Sequence, residues 1–590
     1  MPGQDLVSVL RERVESDPEV IATTFVRDPD PTTGQHVSLS YGDLDLRVRG
    51  IAAWLSERTE PGGRVLLLYP PGVEFAAAFF ACLYAGLIAV PCPQPGRYRH
   101  ERRRLAGIAR DAGATTALTD RQSMTAVEKW AAEEGAGQVV CHATDDADTG
   151  ADGRRTPAAV GPDSVAMLQY TSGSTGSPKG VMVRHGNLLA NIDSLTRALV
   201  VGPGRRTGGW IPLYHDMGLI GLMLPGVLRG SGYVQMDPMT FLRRPHHWLL
   251  MTDVFDVNAT ASPDFGFELC LRRITDEQLA GLDLSRVTAA VNGSEPVRAD
   301  TVTRFAARFA RAGFRSDAMI PMYGLAEATL LTSGTGRRRP YVAEIDVPAL
   351  EDSVLRHASP GTASRDLVGC GGTLDLQLRV VEPESGEILP EGRIGELWLS
   401  GPSVTAGYWE KPDATEASFA ARTADGQGPF LRTGDLGGLL DGQVFVTGRR
   451  KDVLVLHGRN LHPQDIEGEL RLQHEELGGM HGAAFTVGGD DGTALDESVV
   501  VLHEIRAHWG AERLGEIATA MKHTVAKEFG VPVAAVGLVR PGGIRRTTSG
   551  KVQRSAMREL YVTGALELLL ASEDPRVTEA LDRARHGVTG

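Results

Sequence analysis

The chain has 590 residues, 42% of them hydrophobic and 23% charged, with 74 acidic against 61 basic side chains and a formal net charge of −13. That length exceeds what one hydrophobic core serves, so two or more domains are expected, and the acidic balance argues against general nucleic-acid binding, which draws on a basic domain. Cys82, Cys92, Cys141, Cys270 and Cys370 are scattered without CxxC spacing, which speaks against a disulfide framework or a zinc site and suits a reducing cytoplasm.

The first residues, MPGQDLVSVLRERVESDPE, carry charges where a signal peptide needs an apolar stretch. RVLLLY (64–69) reads as a buried strand. The uncharged run FAAAFFACLYAGLIAV, from Phe75 to Val90, falls short of a membrane span of about 20 residues and runs into PCPQPG. A buried helix over 72–86 leading into the strand LIAVPC (87–92) is expected instead. RYRHERRRLAGIAR (97–110) reads as a solvated helix face rather than a docking patch, and residues 143–162 as a polar surface loop. VAMLQY (165–170), VFDVNATAS (254–262) and RVTAAVNG (286–293) are further strands. None alternates strictly, as expected of parallel strands covered on both faces, so the region is α/β. From about residue 375, LDLQLRVV, IGELWLS, DGQVFVTG and KDVLVL give a β-rich portion. Beyond 455 DIEGELRLQ, SVVVLHE, ERLGEIATAMKHTVAKEFG and AAVGLVR point to a small α+β domain.

After VAMLQY comes YTSGSTGSPKG (170–180). It departs from the Walker loop, since Pro178 and Gly180 stand where that template needs glycine and a hydroxyl. The ingredients of a phosphate cradle are nonetheless present: glycines that admit close anion approach, the hydroxyls of Ser172, Ser174 and Thr175, and the charge of Lys179. Further stretches join it: WIPLYHDMGLIG (210–221) with His215 and Asp216, NGSEPV (292–297), MYGLAEATL (322–330) with Tyr323 and Glu327, RTGDLG (432–437) with Asp435, TGRRKDVLVLHGRNLHPQDIE (447–467) with Arg449, and RRTTSGKVQR (545–554) with Lys551.

In this order and at these spacings the stretches resemble the adenylate-forming superfamily of acyl-CoA synthetases, peptide-synthetase adenylation domains and luciferases, over about residues 20–560. The resemblance implies a large N-terminal domain (1–449) of mixed and parallel sheets with helices and a distorted β-barrel. It also implies a small mobile α+β C-terminal domain (450–590) that swings about Lys451. It implies ATP and Mg2+, and a carboxylate that attacks the α-phosphate to give acyl-AMP and pyrophosphate. Lys551 is then the catalytic lysine, and Glu327 the magnesium ligand with Thr175 beside it. Thr171, Ser172, Ser174, Thr175 and Lys179 hold phosphates, and Gly293, Ser294, Tyr323 and Gly324 hold adenine, with Tyr323 stacked on it. Asp435 and Arg449 bind ribose, and His215 sits at the carboxylate end of the acyl pocket. Met217, Ile220, Phe265 and Phe267 are candidates for that pocket, although apolar residues at such spacing serve a core equally well.

LYHDMGLIG, ACLYAGLIAVP and HGRNLHPQDIE are similar to the fatty acyl-AMP ligases, which hand acyl groups to carrier proteins rather than to CoA. From Glu327 to VGCGG (368–372) runs about 40 residues, an excess of about 20 over what the resemblance implies for CoA-forming relatives. The resemblance places an interdomain insertion there, at about 335–360. Asp264 departs from the asparagine of that branch, which puts the mouth of the acyl pocket, and chain length, in question. No carrier motif is present: LGGMHGAAF (477–485) lacks the serine, so a phosphopantetheine-bearing carrier in trans is expected, with fatty acid as substrate. A CoA-forming ligase and an inactive acyl- or nucleotide-binding protein are the alternatives.

Overall fold

A computed structural model describes residues 4–134, 136–145, 158–170, 178–334, 336, 338–452, 454–456, 459–488, 498–546 and 551–586. Arg64–Leu67 lies inside a six-stranded sheet ordered Val140–Ala143, Thr116–Thr119, Arg64–Leu67, Ile88–Pro91, Val165–Tyr170, Gly180–Arg184. Its neighbours are parallel except the last pair, which is antiparallel. The helix Glu74–Tyr84 buries every side chain from Phe75 to Tyr84, which explains its uninterrupted apolar sequence. Among the described residues no helix is long and apolar enough to cross a membrane.

A seven-stranded sheet follows, ordered Met319–Pro321, Ala289–Asn292, Val257–Ser262, Arg206–Gly209, Tyr233–Met236, Ile21–Asp28, Gln35–Ser40. Only the last pair is antiparallel. The strand read at 254–262 begins at Val257, because the helix His246–Val254 runs up to it and Asp256 turns the chain at φ +52°.

The β-rich portion is a four-stranded antiparallel sheet of Gln377–Val381, Gly395–Ser400, Leu431–Leu440 and Gln443–Arg449. Beside it the stretch read as an insertion has structure of its own. Tyr341–Asp346 pairs antiparallel with Ser364–Gly369, and a short helix, Val347–Glu351, follows the first strand. Ala343, Ile345, Leu350 and Leu355 bury Phe445 of the four-stranded sheet.

The C-terminal domain is a four-stranded sheet, Gly482–Val487, Ser498–Glu504, Val533–Val539 and Leu570–Glu573, with the helices Pro463–Gln473, Ala511–Phe529 and Arg554–Val562. Its two hydrophobic clusters draw only on residues from Leu454 onward. Arg365 of the hairpin and Asp465 at the start of Pro463–Gln473 form a bidentate ion pair across the two domains, one arm at 2.5 Å.

Candidate functional site

Ala289–Asn292 and Met319–Pro321 are adjacent parallel strands, with Asn292 opposite Pro321. The turns that follow them therefore leave the sheet side by side. Gly293 packs on the Met322 backbone so closely that a Cβ there would stand 2.9 Å from the Met322 oxygen. Ser294 adopts φ +68°, and its hydroxyl lies 3.3 Å from Met217 Sδ. Gly324 is tighter still, since a Cβ would meet the Leu330 carbonyl oxygen at 1.8 Å. Gly293, Ser294, Tyr323 and Gly324 thus form one wall.

Asp435 reaches this wall from the four-stranded sheet. The RTGD segment breaks the ladder: register slips between Glu396 and Trp398 on one side and between Leu436 and Gly437 on the other. Gly434, at φ +71°, donates its amide to Glu396 Oε1 at 3.1 Å, and Thr433 Oγ1 donates to the Leu397 carbonyl at 2.7 Å. Such an irregularity re-aims a side chain, and here it turns Asp435 inward, 6% exposed. The Tyr323 hydroxyl donates to Asp435 Oδ2 at 2.7 Å, and Arg449, opposite Asp435 in the ladder, reaches Oδ1 at 3.2 Å. Burial, with the Asp435 charge, pushes the Tyr323 phenol far above its ordinary value, so it remains a donor. Each Asp435 oxygen keeps a second acceptor direction for a ribose hydroxyl.

Lys551 arrives from the C-terminal domain at the same cleft. Burial and Arg449 hold its ammonium below the usual lysine range, while Asp435, Asp216 and Glu295 oppose that shift. The carboxylates that act on this amine come from three separate stretches of the N-terminal domain. Asp216 lies against His215, with Oδ1 2.8 Å from Nδ1. Burial pushes Asp216 up, but the charge and hydrogen bond of His215, Lys551 and the Met217 amide together hold it below the usual carboxylate range.

On the far side, Lys179 Nζ sits 5.0 Å from the centre of the Tyr408 ring, and the Tyr408 hydroxyl donates to Glu327 Oε1 at 3.0 Å. Thr405 fixes the Glu327 backbone, its amide and hydroxyl donating to that carbonyl at 2.9 and 3.0 Å. Glu327 and Lys179 are so brought together. Thr171, Ser172, Ser174 and Thr175 lie outside the described residues. Lys451 sits in the single turn Arg450–Asp452 between the sheet strand Gln443–Arg449 and the first elements of the C-terminal domain.

The apolar candidates separate. Met217 borders the adenine wall through Ser294, and Ile220 is fully buried in the same segment. Phe265 meets Trp210 edge-on at 5.7 Å. Phe267, on the other face of the helix Asp264–Arg273, packs between Trp248 and Phe305 at 5.4 and 5.0 Å and serves the core. Asp264 is 1% exposed and bonded to Asn292, Arg298 and Thr301, so it does not line an open mouth. Tyr408, Trp210 and Glu295 escaped sequence reading. Glu295 stood inside NGSEPV, but nothing in that motif marks the carboxylate, and TAGYWEK offers no spacing that marks Tyr408.

The AMP-binding enzyme family matches residues 10–409 of the chain. A medium-chain-fatty-acid–[acyl-carrier-protein] ligase, JamA of Moorena producens, is 38% identical, covering 90% of this chain and 91% of its own. The long-chain-fatty-acid–AMP ligase FadD26 of Mycobacterium bovis is 36% identical, covering 95% and 98%. A solved structure from a study of fatty acyl-adenylate ligases of E. coli and L. pneumophila superposes with a TM-score of 0.84 at 31% identity, covering 94% of this chain and 97% of that one. The shared fold, the Tyr323–Asp435–Arg449 cluster with Lys551 beside it, and these near-full-length likenesses agree: the chain belongs to the AMP-binding, adenylate-forming enzymes, alongside the fatty acyl-AMP ligases.

Proposed function

We propose that the protein activates a fatty acid with ATP and passes the acyl group to the phosphopantetheine thiol of a carrier protein on another chain. The observation that carries this reading is the buried Tyr323–Asp435–Arg449 cluster, whose charges act on Lys551 of the C-terminal domain. In the first half-reaction a carboxylate oxygen bonds to the α-phosphorus, the bond to the β-phosphate bridge breaks, and pyrophosphate leaves. Two anions must meet, so fixed cations lower the barrier. Lys551 supplies one between carboxylate and α-phosphate, and Lys179 supplies one toward the outer phosphates. Tyr323, Gly293, Ser294 and Gly324 hold adenine, Asp435 and Arg449 hold ribose, and His215 orients the incoming carboxylate. In the second half-reaction the thiol loses its proton, its sulfur attacks the acyl carbonyl, and AMP departs.

A magnesium ion fits the residues present. Among the described residues no group of three or more His, Cys, Asp or Glu could hold a metal alone. Glu327 is a single carboxylate held by its backbone and Tyr408, which suits an ion bound mainly by nucleotide phosphates and water. Glu327, with Thr175, would hold it, and it would neutralise phosphate charge. Met217, Ile220 and Phe265 start the acyl pocket in this reading. The domain boundary falls at 449/450, with Lys451 as the hinge.

The test is incubation with ATP, magnesium and a series of fatty acids, trapping acyl-AMP as hydroxamate and weighing thioesters formed on a holo carrier or on CoA. ATP-dependent hydroxamate and a carrier thioester are expected. Absence of hydroxamate for every chain length overturns adenylation. Efficient acyl-CoA formation overturns the choice of acceptor alone.

A further inference from the structure

The chain reaches and leaves Lys551 along two arms, each fastened to a buried carboxylate. The arriving arm, 542–546, hangs on Glu504 at the end of the strand Ser498–Glu504. Glu504 Oε1 accepts the Gly542 amide at 2.8 Å and the Ile544 amide at 3.2 Å. The departing arm, 551–554, is tied to the first: Gln553 donates its amide to the Arg545 carbonyl at 2.9 Å, and Val552 bridges Arg546 antiparallel. This arm ends on Arg554, the first residue of the helix Arg554–Val562. The Arg554 guanidinium forks onto Glu467, Nε to Oε1 and Nη2 to Oε2, both at 2.7 Å. Glu467 lies on the helix Pro463–Gln473, and its Oε1 also accepts the Ala484 amide of the sheet at 3.0 Å. The third nitrogen, Arg554 Nη1, stands 3.5 Å from Asp452 Oδ2. Asp452 closes the junction turn Arg450–Asp452, directly after Lys451. One cation therefore joins the lysine arm, the core of the C-terminal domain and the turn from which that domain hangs.

We propose that Arg554 is a positioning residue for Lys551, and that its reach to Asp452 makes the junction turn and the lysine arm move as one piece. The proposal rests on the adenylation reading above. A lysine that must lie between two reacting anions works only when its ammonium is held in place, and a misplacement of about 1 Å costs about a hundredfold in rate. A charge-assisted fork fixes direction as well as distance. Only Val552 and Gln553 separate Lys551 from Arg554, and both are tied to the arriving arm, so a shift at Arg554 reaches Lys551. Without the Asp452 contact, the turn would rotate while the lysine arm lagged behind it.

Arg554→Ala would strand Glu467 as a buried unpaired charge and would unfold the domain as readily as misplace the lysine. Arg554→Lys is the probe instead: a point charge still neutralises Glu467, but it has no fork and does not span both carboxylates.

The experiment measures hydroxamate-trapped adenylation beside thiol capture from supplied acyl-AMP. Arg554→Lys is expected to lower adenylation kcat about tenfold and to leave ATP KM and thiol capture within about twofold. Added to Lys551→Ala, it is expected to cost nothing further, because it acts only through that amine. Asp452→Ala leaves the Glu467 fork whole; it is expected to lower adenylation kcat about threefold, and to add nothing to Arg554→Lys. Wild-type kcat in Arg554→Lys, equal loss of both half-reactions, or a further loss on the Lys551→Ala background overturns the positioning role. Wild-type kcat in Asp452→Ala overturns the link to the turn. A wild-type protein that makes no acyl-AMP overturns the adenylation reading first, and this proposal with it.

Discussion

In the proposed mechanism, Lys551 is the side chain on which the two half-reactions part company. Lys551→Ala should lower acyl-AMP formation at least about a hundredfold, the scale of one lost charge contact to a transition state. Transfer from supplied acyl-AMP should fall far less, and comparing hydroxamate trapping with thiol capture reads the difference. Asp435 has a binding role in that proposal. With its oxygens engaged by Tyr323 and Arg449, Asp435→Ala should raise the ATP KM about tenfold or more, because it removes the ribose acceptor and leaves Arg449 unpaired. Tyr323→Phe deletes one hydrogen bond and keeps the ring, so it should raise the ATP KM only about two- to threefold, less than Asp435→Ala, if stacking carries adenine affinity. Steady-state kinetics at varied ATP separates the two.

At the scale of elements, the hairpin beyond Glu327 explains why the sequence was only partly legible. Apolar runs such as VAMLQY and SVVVLHE declare strands because burial on both faces needs nothing but apolar residues. The motif residues could be named because each chemistry needs a particular group, such as two acceptor oxygens at Asp435. The excess length after Glu327 was visible too. Its ordering was not, because Ala343, Ile345, Leu350 and Leu355 find their partner Phe445 about 90 residues on. The network around Asp264, whose departure from asparagine put the pocket mouth in question, was hidden for the same reason: its partners Asn292, Arg298 and Thr301 are distant in sequence. The packing on Phe445 also changes how the hairpin is tested. Excising residues 335–360 would expose that ring at a cost of about 2–3 kcal/mol, so the Arg365–Asp465 pair is the cleaner target. Arg365→Ala should release about 1 kcal/mol of interdomain attraction, about a fivefold change in domain equilibrium. Acyl-CoA yield should rise accordingly, and the exchanged pair Arg365→Asp with Asp465→Arg should restore the wild-type ratio.

For the molecule as a whole, the proposed reading has adenylation and transfer use two arrangements of one C-terminal domain. The wild-type protein should make acyl-AMP and little acyl-CoA. A bias of about 3 kcal/mol toward the adenylating arrangement leaves under about 1% in the other, and carrier docking offers contacts that free CoA does not. Lys451→Pro, which fixes φ at the junction, should let adenylation proceed while carrier thioester formation stalls; intact-protein mass spectrometry of the carrier reads the outcome. The seven-stranded sheet imposes a condition of another kind. Its strand Ile21–Asp28 is sandwiched between its hairpin partner Gln35–Ser40 and Tyr233–Met236. A ribosome adding about 5–20 residues per second needs about 10–40 s to get from one to the other. Throughout that interval the strand Ile21–Asp28 has one of its two edges unpaired. The seven-stranded sheet closes only after the strands Val165–Tyr170 and Gly180–Arg184 have been made, so that edge stays bare, open to pairing with another chain, while they are synthesised.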